Sequence, residues 1–326
     1  MIDPYSRTID YLRVSVTDRC NLRCHYCMPA EGKEWLERSD LLSYEEIAAL
    51  VACVFVPLGV RKIRLTGGEP LLRRGLADLV RRLSALDAIQ DLSLTTNALF
   101  LADQAADLKA AGLNRVNISL DSLDPDRFRS ITRGGDVRKV LMGLETALSV
   151  GLDPVKINAV VLPGVNDGDD LLALAELTRS LPVHVRFIEF MPVGDRDLFQ
   201  ASRVVTADEV HARLAEAYGL VPADMAPTGN GPARYWRIPG ALGTVGFIHP
   251  MSQHFCGACN RIRLTADGRV KACLLRGSEL SLRDLLRSEA DDEALRNQVL
   301  ASLALKPEWH EMGSEIQTLT MSQIGG

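Results

Sequence analysis

Residues 12–18 read Leu-Arg-Val-Ser-Val-Thr-Asp, and residues 19–29 continue as RCNLRCHYCMP. Successive side chains of an extended segment point to opposite faces, so Val14 and Val16 share one side while Arg13, Ser15 and Thr17 share the other. The same split sets Lys62, Arg64 and Thr66 against Ile63 and Leu65, and it returns in Ser93, Thr95 and Asn97 and in Asn117, Ser119 and Asp121. Strands covered on both faces of an open doubly wound sheet are apolar nearly throughout, and these are not. One face suits packing on helices; the other suits a polar interior, as in a curved sheet closing around a ligand.

Working outward, strand-like runs alternate with longer amphipathic runs between residues 11 and 192, the signature of repeated βα units around parallel strands. Six strands are predicted: Leu12–Asp18, Lys62–Thr66, Asp91–Asn97, Arg115–Asp121, Val155–Val161 and Val183–Phe190. Helices are predicted over Tyr44–Leu58, Leu76–Leu86, Ala102–Ala111, Val137–Val150 and Asp169–Arg179, with Gly59, Gly112 and Gly151 as stops. The expected fold is α/β, a partial six-stranded (βα) barrel of TIM type; an open sheet with a functional crevice is the alternative. After a further helix over Ala207–Tyr218, Pro222, Pro227, Gly229, Gly231 and Pro232 mark a linker. The expected division is a barrel over 1–220 and a C-terminal region over 221–326, the latter with a helical stretch from Ser281 to Leu303.

With 47% hydrophobic and 24% charged residues, 326 positions suffice for one large core plus an appended unit. Net charge is −5 without any block of like charge, which gives no electrostatic footprint for nucleic acid or an acidic membrane surface. An anionic ligand must therefore be met by a local cluster. The longest apolar run, Ile47 to Val60, is too short to span a bilayer and is broken by Pro57 and Gly59. The start lacks the order of a signal peptide, so a cytoplasmic location is expected.

Six of the seven cysteines form two trios, Cys20, Cys24, Cys27 and Cys256, Cys259, Cys273. Cys53 lies inside an apolar helical run and reads as core. Thiols this closely spaced suit convergence on a metal better than a disulfide framework. The first trio, CxxxCxxC, sits on the loop after the first strand, at the strand end where barrel folds carry their sites. Three thiolates on a four-iron cluster leave one iron open to an outside ligand, whereas zinc completed by His25 would be crowded. For the second trio a Cys₃His zinc site completed by His254 stands as an equal alternative. Arg261 and Arg263 follow it on one face and would bring positive charge to the metal.

CxxxCxxC with Tyr26 before its last cysteine, together with Gly67-Gly68-Glu69-Pro70 after the second strand, resembles the radical S-adenosylmethionine superfamily. Across essentially the whole chain the pattern is similar to those members that cyclise GTP at the start of molybdenum cofactor biosynthesis. It includes TDRCNLRCHYCMP (17–29), RLTGGEPLLRR (64–74), LTTN (94–97), NISLDS (117–122), RFIEFMP (186–192), RIRL after the second CxxC, and the closing Gly325 and Gly326; residues 223–243 are not aligned.

The resemblance implies two 4Fe-4S clusters, each held by one cysteine trio with an open iron, and S-adenosylmethionine on the first. It carries cofactor binding to Tyr26, Gly68, Ser119 and Met191, and GTP binding to Arg13, Arg64, Thr95, Lys156, Arg261, Ile262 and Arg263. By the same likeness a 5′-deoxyadenosyl radical would take hydrogen from the 3′ carbon of GTP, the sugar radical would add to carbon 8, and the second cluster would anchor the guanine. Arg261 and Arg263 would stabilise charge during reduction of the cyclised radical. An external one-electron reductant and a functional link to cyclic pyranopterin monophosphate synthase follow; a homodimer is compatible, and neither nucleic acid nor membrane is expected. A twin-cluster peptide-modifying enzyme would carry a more cysteine-rich C-terminal unit, and an electron carrier would have no use for the Gly-Gly-Glu-Pro run. The family tail enters the active site, where residues without side chains fit close to substrate. Replacing Gly325 with Val, or extending the chain beyond Gly326, is accordingly expected to abolish turnover in a product assay while both clusters stay intact.

Overall fold

The β-branched, alternating runs pair as one sheet in the computed structural model, which describes residues 1–191, 204–223, 231–275 and 280–310. The six expected strands are β1 (Tyr11–Ser15), β2 (Lys62–Thr66), β3 (Asp91–Thr96), β4 (Arg115–Ser119), β5 (Val155–Val161) and β6 (Val183–Glu189). They lie side by side in chain order, every neighbour parallel. A doubly wound sheet reverses its strand order at a switch point, and this one does not, so the winding is that of a barrel. Among the described residues the sheet does not close and has two ends.

The parallel run holds eight strands and not the expected six. β9 (Thr244–Ile248) pairs in parallel with β6, and β10 (Arg261–Leu264) with β1. Beyond them the edges turn antiparallel, through β8 (Arg234–Arg237) and β7 (Val221–Pro222) on one side and β11 (Arg269–Lys271) and β12 (Leu280–Ser281) on the other. The C-terminal region thus adds strands to both edges of the barrel sheet. Short strands of this kind are hard to read in a segment rich in Pro and Gly, because their pairing is decided by partners distant in sequence.

Helices cover the outer face. Ser43 and Glu46 cap each other's backbone at the start of α1 (Tyr44–Leu50), with bonds of 3.0 and 2.7 Å, and a π-helical turn over Val51–Phe55 carries the helix on. α2 (Leu76–Ser84) and α3 (Leu101–Ala110) fall near their expected positions. The reading above misses α4 (Pro125–Thr132), although Asp124 as cap and Pro125 in the first turn were its signal. α5 (Val137–Ser149), α6 (Asp169–Ser180) and α7 (Ala207–Tyr218) follow as expected. The stretch from Ser281 to Leu303 divides into α8 (Leu282–Arg287) and α9 (Asp292–Ala304). Among the described residues no helix is long and apolar enough to cross a membrane.

Period-two alternation sorts the strand residues. Leu12, Val14, Ile63, Leu65, Leu92, Leu94, Val116 and Ile118 point outward into the helices and are fully buried. Arg13, Arg64, Ser93, Arg115, Asn117, Lys156 and Arg186 point inward and are buried as well. At the centre of the sheet Ile118→Ala deletes buried methyl groups between β4 and the helices, so we expect a loss of about 2–5 kcal/mol. A shifted urea midpoint at unchanged slope would record it.

Candidate active site

The first cysteine loop leaves the C-terminal end of β1 and is held by the turn that follows β2. The Gly68 amide donates to the Thr17 carbonyl, and the Glu69 amide to the Arg19 carbonyl, both at 2.7 Å. A Cβ on Gly68 would run into the Arg19 carbonyl, and one on Gly67 would meet the Thr17 carbonyl at 2.6 Å, so only glycine allows this approach. The Glu69 carboxylate accepts from the Leu71 amide (3.0 Å), the Asn97 amide (2.7 Å) and the Thr96 hydroxyl (2.7 Å). Burial pushes its pKa up to about 7 against these bonds. Gly-Gly-Glu-Pro therefore ties three strand ends together as well as opening a backbone cradle.

From the other side α4 braces the loop. Its end supplies the carbonyls of Ile131 and Thr132 to the amides of His25 and Arg23 (3.0 and 3.1 Å), and Arg133 donates to the carbonyls of Arg23 and Met28. The amides of Cys27 and Met28 turn back on the Cys24 carbonyl. Tyr26 donates to Asp121 at 2.7 Å, and Asp121 also accepts from the Val160 amide at 2.8 Å. Burial raises the Asp121 pKa to about 6, pushes the Cys20 thiol up to about 11 and drives Cys24 well above its ordinary value.

Hairpin geometry gathers the second trio. β10 and β11 are antiparallel, so Cys259, two residues before β10, and Cys273, two residues after β11, emerge at the same end. Cys256 opens the short 3-10 turn over Cys256–Ala258. The Lys306 ammonium donates to the carbonyls of Arg261 (2.9 Å) and Ala272 (2.5 Å). Burial pushes the Cys259 thiol up, but Arg261 and Lys306 outweigh it and its pKa falls. His254 bonds to the Pro250 carbonyl at 3.0 Å and lines a neighbouring pocket that none of the cysteines lines.

Both trios open into one cavity of about 380 Å³, partly open to solvent and within the roughly 300–1,000 Å³ typical of a small-molecule site. Its walls include all six trio cysteines, Tyr26, Gly68, Ser119, Met191, Arg13, Arg64, Thr95, Arg261 and Arg263. Two expected residues are placed elsewhere. The Ile262 side chain lies in the outer core, because strand alternation turns it away from Arg261 and Arg263; only its backbone is left for a ligand. Lys156 is buried one inward position below the lining residue Asn158 and is not in the lining itself. Gly325 and Gly326 lie outside the described residues.

Among the residues the sequence reading gave no role of their own, Tyr11, Asn158, Arg186 and Lys306 line the cavity. Arg186 stood in a quoted motif and on an inward position of β6, which was a usable signal. Burial among like charges brings Arg64 and Arg263 down to about pKa 10 and Lys156 to about 6. Asp91, bound bidentately to Arg115 at 2.9 and 2.5 Å, offsets part of this charge. Such an interior suits a polyanion.

A model of the radical SAM superfamily matches residues 14–177, and one for molybdenum cofactor synthesis, C-terminal part, matches 183–312. A GTP 3′,8-cyclase of Pelotomaculum thermopropionicum is 49% identical over 328 residues, covering 100% of both chains. One of Listeria monocytogenes is 46% identical over 334 residues, covering 99% of this chain and 98% of that one. The crystal structure of Streptococcus suis SuiB bound to precursor peptide SuiA superposes with a TM-score of 0.62 at 15% identity, over 93% of this chain and 72% of that one, a likeness of fold alone. The chain belongs to the radical SAM superfamily, whose members work with a 4Fe-4S cluster and S-adenosylmethionine. Within it, this is a member of the GTP 3′,8-cyclase family.

The buried cations leave a trace in stability. With a pKa of about 6 in place of 10.5, folded Lys156 binds fewer protons than the unfolded chain between those pH values, so its contribution makes stability rise with pH across that window. Urea midpoints of the nucleotide-free protein at pH 7 and pH 9 should therefore differ by less in Lys156→Met than in the wild type.

Proposed function

We propose that the protein converts GTP to (8S)-3′,8-cyclo-7,8-dihydroguanosine 5′-triphosphate, the first step of molybdenum cofactor biosynthesis. One observation carries this reading: two cysteine trios and a set of buried arginines face a single cavity. An electron carrier would need the sulfurs without the cationic interior.

Cys20, Cys24 and Cys27 would hold a 4Fe-4S cluster that, with S-adenosylmethionine, supplies a carbon radical for hydrogen abstraction. The fit is supported by three half-buried cysteines on one cavity wall and by the Gly67-Gly68 backbone, whose approach any Cβ would block. Tyr26, Gly68, Ser119 and Met191 would bind the cofactor. Cys256, Cys259 and Cys273 would hold a second 4Fe-4S cluster. His254 lines the neighbouring pocket and not this cavity, and among the described residues no three Cys, His, Asp or Glu side chains gather closely enough for a single ion.

Arg13, Arg64, Thr95, Arg261 and Arg263 would contact GTP, with the Ile262 backbone between the last two. Lys156, below the cavity wall, would take up a proton as the phosphates arrive and attract them from there. Arg261 and Arg263, next to the second cysteine loop, would stabilise charge that develops on the purine. Functionally the barrel over 1–220 would carry the cofactor, and the region over 221–326 the second cluster and the substrate's base. An outside one-electron donor, delivery of product to cyclic pyranopterin monophosphate synthase and a homodimeric state complete the proposal.

The test is an anaerobic assay of reconstituted, reduced protein with S-adenosylmethionine. 5′-Deoxyadenosine is expected to reach full yield only with GTP present, and release independent of GTP would refute the reading. A Cys256→Ala/Cys259→Ala/Cys273→Ala variant should keep about half of the iron and inorganic sulfide, as expected when one of two four-iron clusters is lost.

A further inference from the structure

Tyr11, the first residue of β1, is buried against the cavity at 3% exposure, and among the described residues its hydroxyl has no hydrogen-bond partner. It shares the inward face with Arg13, and across the sheet it stands opposite Lys62 on β2 and Arg261 on β10. The Arg64 guanidinium carbon lies 5.4 Å from the centre of its ring.

A phenol has one proton to donate and needs an acceptor for it. The guanidinium groups of Arg13, Arg64, Arg115 and Arg261, whose charges act on Tyr11, can only donate. Buried polar hydrogens are nearly always paired, so one aimed into a ligand cavity and surrounded by donors marks the place of an acceptor that arrives with the ligand. Burial pushes the Tyr11 pKa up, but the arginines outweigh it and lower it, which makes the hydroxyl a stronger donor.

Position along the strands narrows the acceptor. Tyr26, Gly68 and Met191 lie beyond the C-terminal ends of their strands, and Ser119 is the last residue of β4, whereas Tyr11 begins β1. Deep on the inward face stand the cations Arg64, Arg115, Lys156 and Arg186, which would draw the phosphate chain of a nucleotide whose sugar meets the cofactor toward the strand N-termini. There Arg115 begins β4 and Lys156 is the second residue of β5.

We propose that the Tyr11 hydroxyl donates a hydrogen bond to the terminal phosphate of the bound nucleotide and so selects the triphosphate over the diphosphate. The inference rests on the GTP reading above. Its test is anaerobic equilibrium binding of GTP and GDP to the reconstituted wild type and to Tyr11→Phe, which keeps the ring. GTP affinity is expected to fall about tenfold in the variant, as for one charge-assisted hydrogen bond, with GDP affinity unchanged. The KM for GTP should rise alongside, with kcat at saturation and the low-temperature spin signals of the reduced clusters unaltered. A merely structural role would weaken both nucleotides together, so an equal loss for GTP and GDP, or no loss for either, overturns the assignment of Tyr11. A wild type that binds neither nucleotide would instead overturn the GTP reading.

Discussion

Everything in this protein depends on strict alternation along eight parallel strands. Because each strand sends every second side chain to the opposite face, the outer face can be wholly apolar and the inner face largely polar within the same four to seven residues. Helices bury the first. The second becomes the wall of a cavity whose charge is independent of the acidic whole: the chain carries −5, while its interior gathers Arg13, Arg64, Arg115, Lys156, Arg186 and Arg263. Holding such cations together without ligand opposes folding, as their lowered pKa values record, and the helix-packed outer face must offset it. A polyanion entering the cavity relieves the repulsion.

Precision at the strand ends comes from backbone and not from side-chain bulk. Gly67 and Gly68 let the turn after β2 touch the turn after β1, Glu69 fastens both to β3, and α4 closes the cysteine loop from the far side. The first cysteine loop is thus clamped by three successive βα units, which preorganises it. The second trio is organised by a different device, an antiparallel hairpin whose open end brings together residues fourteen positions apart. Lys306, near the far end of the described chain, bonds the backbone on both sides of that opening.

The sequence by itself determined the winding of the barrel, the helical layer outside it and the residue types at the cysteine loops, since these follow from local periodicity and from spacings of a few residues. Leu12 to Asp18 already contained the inward and outward faces, and CxxxCxxC the three cysteines of one cavity wall. Only the tertiary structure decided that β9 and β10 lengthen the sheet, that Ile262 faces the core, that Lys156 sits below the cavity wall, and that Arg186 and Tyr11 belong to that wall. These depend on strand pairing and on depth along a strand. Both are set by partners tens to hundreds of residues away, such as β1 with β10, and no local pattern in the chain records how far a side chain stands from the ligand.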